Sequence, residues 1–517
     1  MRRGSRSLPI ASTIGRWPLW VALRWLRTLC DVSIAQWIYQ WADTDRIAFW
    51  FEGESTTYRE LSTRIDQCAH GLIAAGVGRG DRVGFCGLNR IELFEALFAS
   101  ARIGATFVPF NNRLTAVELA VLIEDAGPTL LLATDGFDEL LAQAGGGRPT
   151  RNLDADPFSE PVADLLLADP QDQDLTVLMV YTSGTTGQAK GAMLTHQAMH
   201  YTVLNSVDHQ GLTGDDCIVA PLPTFHVGGI NIQTLPTLFV GGQVLLQRGF
   251  DPAGVLNLIE KHGATQTLLV PAMLAAVAVQ PAFADTDLSS LRGINSGSSI
   301  VPADLMQPFF DRGVPVGQVY GSTETGPTAI VLNYADAGAH MGSCGKPALH
   351  TELRIVDGSG DDVELGSPGE LLVRGPNIFS GYWGNPEATE QAFASDGWFR
   401  TGDVGYQDEA GFVFISDRIK DMVISGGENV YPAELEPILM QHPAIAEVAV
   451  IGEPDAKWGE IPVAVVVLAP GAALVIDELR EWCQDRLARF KQPRGLRVVT
   501  DLPRTALGKV KKHDLRS

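Results

Sequence analysis

Basic charge is scarce in this 517-residue chain: 39 Lys and Arg stand against 61 Asp and Glu, a formal charge of −22. That balance argues against a nucleic-acid partner, and any anionic ligand must be gripped locally, against the overall field. Long apolar runs are missing as well. No stretch of about 18 uncharged apolar residues occurs, so a spanning helix is not expected. The six cysteines (Cys30, Cys68, Cys86, Cys217, Cys344 and Cys483) form no C-x-x-C pair. They read as reduced thiols of a cytoplasmic protein, without a cysteine metal site. A Walker A loop is absent too. The nearest candidate, "YTSGTTGQAKG" (Tyr181–Gly191), separates Gly187 from Lys190 by Gln188 and Ala189, and no hydroxyl follows the lysine. Kinase or GTPase loops of that type are thereby excluded.

What remains is a soluble composition, 45% hydrophobic and 19% charged, on a chain long enough for more than one domain. Residues 1–30 stand apart, with Arg2, Arg3, Arg6, Arg16, Arg24 and Arg27 and no acid before Asp31. Within "RWPLWVALRWLRTLC" the tryptophans mix with arginines, as in a helix lying on a bilayer surface. A docked or disordered extension, or an over-called start codon, is the plainer reading. From Asp31 onward β-branched runs alternate with helix-length amphipathic stretches: "DRVGFCGL", "RIELFEALFASARIGA", "TFVPF", and later "TQTLLVPAM" and "PVGQVYGS". This pattern predicts an α/β protein of layered sheets with sites at strand ends. "LTVLMVY" is a buried strand that delivers the glycine loop. Past residue 350 hairpin turns predict a β-rich subdomain, and the last hundred residues a small α+β unit.

The glycine loop suits a phosphate, because glycines let backbone N–H groups approach an anion and hydroxyls add donors. Other elements join it. "VYGSTETGP" offers Thr323 as a hydroxyl and Glu324 as a hard carboxylate for Mg2+. "GWFRTGDVG" supplies Asp403, suited to accepting from ribose hydroxyls; "DRIKD" carries Arg418 and Lys420, and "PRTALGKVKK" presents Lys509. In this order, and with "PFNNRL", "PLPTFHVGG", "GELLVRGPNIFSGYW" and "ISGGENVYPAELE", the chain resembles the AMP-forming acyl-CoA synthetases of the adenylate-forming superfamily.

That resemblance implies two half-reactions. A carboxylate attacks the α-phosphate of ATP to give an acyl-adenylate, and the thiol of coenzyme A then takes the acyl group, releasing AMP. It implies ATP-binding by Thr182, Ser183, Gly184, Thr185, Thr186, Gly187 and Lys190, with Lys190 neutralising pyrophosphate. Ser298 would lie by the adenine and Tyr320 against it; Asp403 and Arg418 would bind ribose. Thr323 and Lys509 would contact the α-phosphate and carboxylate, and Glu324 would hold Mg2+. Residues 31–419 would be the large domain. Residues 420–517 would reorient about Lys420, presenting Lys509 for adenylation in one arrangement and the turn Ser425–Gly426–Gly427 to CoA in the other. Two departures stand out: Ala189 replaces a usual proline, and "NSGSSIVP" replaces a Gly-Gly-Ala-Pro turn.

For the acid, "TFHVGGINIQTLPTL" is informative. His226, counted with Lys509, Thr323 and Lys190 among the catalytic residues, stands where amino-acid activators need an acid. Its surroundings are apolar, so a hydrophobic acid without an amine is expected: a fatty acid first, an aryl or hydroxycinnamic acid second. A core role for His226, a carrier protein as acceptor, a nucleotide-binding regulator and a luciferase-like oxygenase are the competing readings.

Overall fold

The computed structural model describes residues 33–159, 172–183, 189–298, 301, 303–418, 423–430, 432–503, 510 and 512–516. The basic extension 1–30, with its bilayer reading, lies outside them. Among the described residues no helix is long and apolar enough to cross a membrane.

The expected alternation produces two large sheets. In the first, the parallel strands Arg82–Cys86, Thr106–Pro109 and Leu130–Ala133 adjoin the hairpin Thr176–Ser183/Ala189–Thr195, and Gly381–Tyr382 closes its edge. The second contains Cys217–Ala220, Gln243–Leu246, Gln266–Leu268, Gly293–Gly297 and Val316–Tyr320, again parallel, with antiparallel strands at both edges. Near-continuous apolar strands of this kind are buried on both faces. The helices Tyr58–Ala74, Ile91–Ile103 and His196–Gln210 supply apolar faces to one core that also takes Phe49 and Val244 from one sheet and Phe85, Phe107 and Leu178 from the other. Thr57 and Glu60 cap the first of these helices reciprocally.

The hairpin-rich stretch forms a four-stranded antiparallel sheet, Glu352–Val356, Gly369–Arg374, Phe399–Gln407 and Val413–Arg418. The C-terminal unit has its own sheet, built on the long hairpin Ile445–Asp455/Gly459–Leu468, and its own core around Leu435, Val450, Val466 and Leu479. "TQTLLVPAM" is a shorter strand than expected. It ends at Leu268, and Pro271 opens the helix Pro271–Ala278, where its missing N–H costs nothing.

Strand ends converge on one region, and the turn after Val316–Tyr320 shows how tightly it is held. Thr323–Thr325 forms a single 3-10 turn closed by Gly326 at φ 82°. A Cβ at Gly326 would lie 2.0 Å from Thr202 Oγ1, so both the left-handed backbone and the packing exclude a side chain. Asn377 Nδ2 donates to the Thr325 carbonyl, and the Phe379 N–H to that of Glu324, each at 2.8 Å. Gly326→Ala is therefore expected to destabilise the protein by about 2–4 kcal/mol, from left-handed strain plus overpacking. A denaturant midpoint equal to wild type would show that the turn can reseat.

Candidate active site

A cavity of about 1210 Å³ lies between the sheets and the C-terminal unit. It gathers Thr182, Lys190, His226, Ser298, Thr323, Glu324, Asp403, Gly426 and Gly427, drawn from strand ends across the whole chain. Of the other expected site residues, Gly184, Thr185, Thr186, Gly187, Lys420 and Lys509 lie outside the described residues. Ser183 and Arg418 are described in backbone only.

At one end sits a buried carboxylate. Glu324 accepts from the Tyr382 hydroxyl at 2.9 Å and from Thr182 Oγ1 at 3.5 Å. Lys190 Nζ lies 5.0 Å from the centre of the Tyr382 ring, within cation–π range. Tyr382 thus joins the acid to the lysine, a role that its place in "NIFSGYW" did not reveal. Among the described residues no three His, Cys, Asp or Glu side chains cluster as a metal cage. A single carboxylate beside a phosphate loop is instead the donor set that suits Mg2+, which keeps waters and takes substrate phosphates as ligands.

A second group lies along the four-stranded sheet. Tyr320 donates to Asp403 Oδ2 at 2.7 Å, and the Asp403 N–H bonds Thr401 Oγ1 at 3.1 Å. Burial, with the adjacent carboxylate, raises the Tyr320 phenol well above its usual range, so it stays a donor at every ordinary pH. Asp403 and Arg418 are register partners on neighbouring strands. On the face of the sheet that carries Ser298 and Tyr320, Ser296 Oγ and Gln318 Nε2 are buried without a hydrogen-bond partner among the described residues. This hydroxyl and amide alternate along their strands with the cavity-lining Gly297 and Val319, and so lie on the opposite face of the sheet from those two residues.

The third wall is shared between the units. Glu428, directly after the Ser425–Gly427 turn, is buried against Arg113, which it bonds, and His226, whose Nε2 is 2.9 Å from Glu428 Oε2. Burial pushes the Glu428 carboxyl upward, but His226, Arg113 and Lys491 outweigh it and hold it below the usual carboxylate range. His226, with its side chain 39% exposed, is no core histidine. Arg113 also lies 5.5 Å from the Phe225 ring centre. Nearby, Lys491 pairs with Glu434 at 2.7 Å and with Glu118 of the large unit at 3.3 Å. Arg113 and Glu428 occur in quoted motifs, yet no spacing rule links residues 315 apart. Another sector of the lining is apolar: Leu222, Ile232, Leu268 and Val319 pack together.

Comparison with known proteins bears on this geometry. The AMP-binding enzyme family model matches residues 36–383, and the AMP-binding enzyme C-terminal domain model residues 434–509. The chain belongs to the adenylate-forming acyl-CoA synthetases. It is 42% identical over 499 residues to the indoleacetate–CoA ligase of Aromatoleum aromaticum, covering 94% of this chain and 98% of that one. It is also 42% identical over 470 residues to a feruloyl-CoA synthase of Amycolatopsis, covering 90% and 94%. Among solved structures, o-succinylbenzoate CoA synthetase of Bacillus subtilis is 33% identical, covering 93% of this chain and 98% of that one. A double mutant bound with its product analogue superposes with a TM-score of 0.85. The same enzyme in complex with its acyl-adenylate intermediate scores 0.71. As an AMP-forming CoA ligase, this synthetase uses ATP, Mg2+ and CoA.

Replacing Tyr382 by Phe keeps the ring beside Lys190 and removes only the donor to Glu324. A hydrogen bond to a charged group is worth about 1.5–3 kcal/mol, so ATP–pyrophosphate exchange should fall roughly 10-fold or more. Unchanged exchange would remove Tyr382 from the site.

Proposed function

We propose that this synthetase activates an aromatic carboxylic acid as its acyl-adenylate and transfers the acyl group to CoA. The apolar sector of Leu222, Ile232, Leu268 and Val319 carries this reading, since it suits an uncharged ring and offers no partner for an amine. Relatives that act on indoleacetate and on ferulate, as their names state, favour the aryl acid over the fatty acid that the apolar segment alone suggested first. A pyrophosphate-release screen over aryl, fatty and dicarboxylic acids, with and without CoA, tests it. Turnover of fatty acids alone, or of any acid without CoA dependence, would overturn it.

In this reading Lys190 and the 182–191 loop hold the leaving pyrophosphate, and Tyr320, Asp403 and Arg418 hold the nucleoside. Glu324 would hold Mg2+, whose charge would offset that of the phosphates. Thr323 fixes the α-phosphate beside the acid. Little covalent work falls to the chain, and most of the rate comes from positioning and charge stabilisation.

Residues 31–419 and 420–517 would then be two domains that pivot at Lys420, with Lys509 serving the first half-reaction and Ser425–Gly427 the second. Two observations support the second arrangement here. Gly426 and Gly427 already line the cavity, Gly427 at φ 85° with a Cβ position 3.1 Å from Val270. The Bacillus enzyme also superposes better with a product analogue bound than as its acyl-adenylate complex, at equal identity and coverage. Two substitutions should divide the reaction in opposite ways. Lys509→Ala is expected to reduce adenylation by roughly 10²–10³ and to spare thioester formation from supplied acyl-adenylate. Glu428→Gln should do the reverse, slowing thioester formation about ten-fold or more, because it removes the buried charge that Arg113 and His226 face. Equal loss of both steps in either folded variant would sink the two-arrangement reading.

A further inference from the structure

Below the apolar sector lies a layer of buried polar side chains that the proposed chemistry does not use. Gln266 Nε2 donates to the Gln210 carbonyl at 3.1 Å, and the Tyr334 hydroxyl donates to Gln266 Oε1 at 2.6 Å. Asn295 Nδ2 donates to the Tyr334 oxygen at 2.7 Å, and Asn295 Oδ1 faces His209 Nε2 at 3.0 Å. The Gln210 carbonyl can only accept, which sets the direction of every bond after it and places the His209 proton on Nε2. His209 Nδ1 is engaged as well, 2.9 Å from the Asn333 side chain. Gln266, Asn295 and His209 are all buried.

Strand register puts this layer directly under the cavity. Leu268, Gly297 and Val319 line the cavity from three adjacent parallel strands. Two residues earlier on the same strands, and so on the same face, stand Gln266, Asn295 and Gly317. A two-residue step along a strand is roughly 6.6 Å. The Tyr334 ring sits where side chains are missing. A Cβ at Gly293 would come within 2.6 Å of the ring, and one at Gly317 within 3.1 Å.

We propose that Tyr334 and the Gln266–Asn295–His209 layer are the closed floor of the acid pocket and set the maximum length of the substrate. The inference rests on the acid–CoA ligase reading and deepens it. A compact ring stops against Ile232, Leu268 and Val319. A long aliphatic tail would have to displace the Tyr334 ring and break a directed chain of bonds, leaving its members buried without partners. The floor therefore excludes long-chain acids, while leaving short-chain and aromatic acids to compete for the same space.

The test is calorimetric binding of acyl-sulfamoyl adenosines, stable mimics of the acyl-adenylate, to the full-length protein. Straight chains from butanoyl to hexadecanoyl are compared with a phenylpropenoyl analogue. Affinity is expected to rise about four-fold per added methylene while space remains, then to fall before dodecanoyl. A rise continuing through hexadecanoyl would overturn the floor. Binding of none of the analogues, the aryl one included, would instead overturn the ligase reading. Tyr334→Phe keeps the ring and should keep the cut-off; Tyr334→Ala should move it to longer chains. A folded Tyr334→Ala, checked by thermal melting, with an unmoved cut-off would also overturn the proposal. If that variant does not fold, the wild-type series decides.

Discussion

A carboxylate from the small C-terminal unit, Glu428, lies buried between an arginine and an imidazole of the large unit. Most of what the cavity can do depends on this contact. It adjoins Gly426 and Gly427 in the cavity wall, while the expected Ser425 is buried on the strand Val423–Ser425 and does not line the cavity. It also joins two units of a chain that carries a large excess of negative charge. Residues 420–517 carry 13 Lys and Arg against 14 Asp and Glu, so the excess lies on the large unit, and cations set where the two units meet can pair with carboxylates there. Arg113 on one side and Lys491 on the other are so placed, and each is engaged by carboxylates at the boundary. Ala488 and Phe490 add apolar contact to the large unit. A boundary built chiefly from paired charges can open into water at modest cost, because each partner regains hydration when the pair separates.

The same scarcity of cations shapes the nucleotide end. In a chain this acidic, a polyphosphate has few places to go, and in the proposed reading the cavity would supply one at Lys190, set on the Tyr382 ring. The acid beside it, Glu324, is tied by two hydroxyls and suited to a divalent ion. Positive charge is thus delivered to a small volume without a basic surface around it.

Much of the fold was legible because its signals are local. The alternation of buried strands and amphipathic helices, the hairpin turns past residue 350 and the glycine loop after "LTVLMVY" each state their own structure within a few residues. The residues proposed for the nucleotide lie in short motifs as well: Thr323 and Glu324 share one 3-10 turn, and Asp403 stands on the strand Phe399–Gln407. What was not legible is pairing across distance. Tyr382 has no period or motif that aims it at Glu324, and Arg113 meets Glu428 only because the C-terminal unit packs against the large one. The acid pocket failed differently. An apolar run such as "GINIQTLPTL" reports that a wall is greasy but not how deep the space behind it goes. On the proposed floor, depth is a matter of Gln266, Asn295 and Tyr334, three residues on three elements, and the relatives favour an aryl acid over the fatty acid expected first.

Glu118 performs two tasks with its two oxygens. One closes a capping box with Thr115 at the start of the helix Ala116–Ala126, taking the Thr115 N–H and hydroxyl at 2.9 and 2.8 Å. The other receives Lys491 from the C-terminal unit. The cap is satisfied within its own helix, so it persists whether or not the lysine is present. The receiving carboxylate is therefore already immobilised before the partner arrives, and docking pays rotamer entropy on the lysine side alone. If the C-terminal unit pivots as proposed, such a preset landing point would return it to the same register after each excursion.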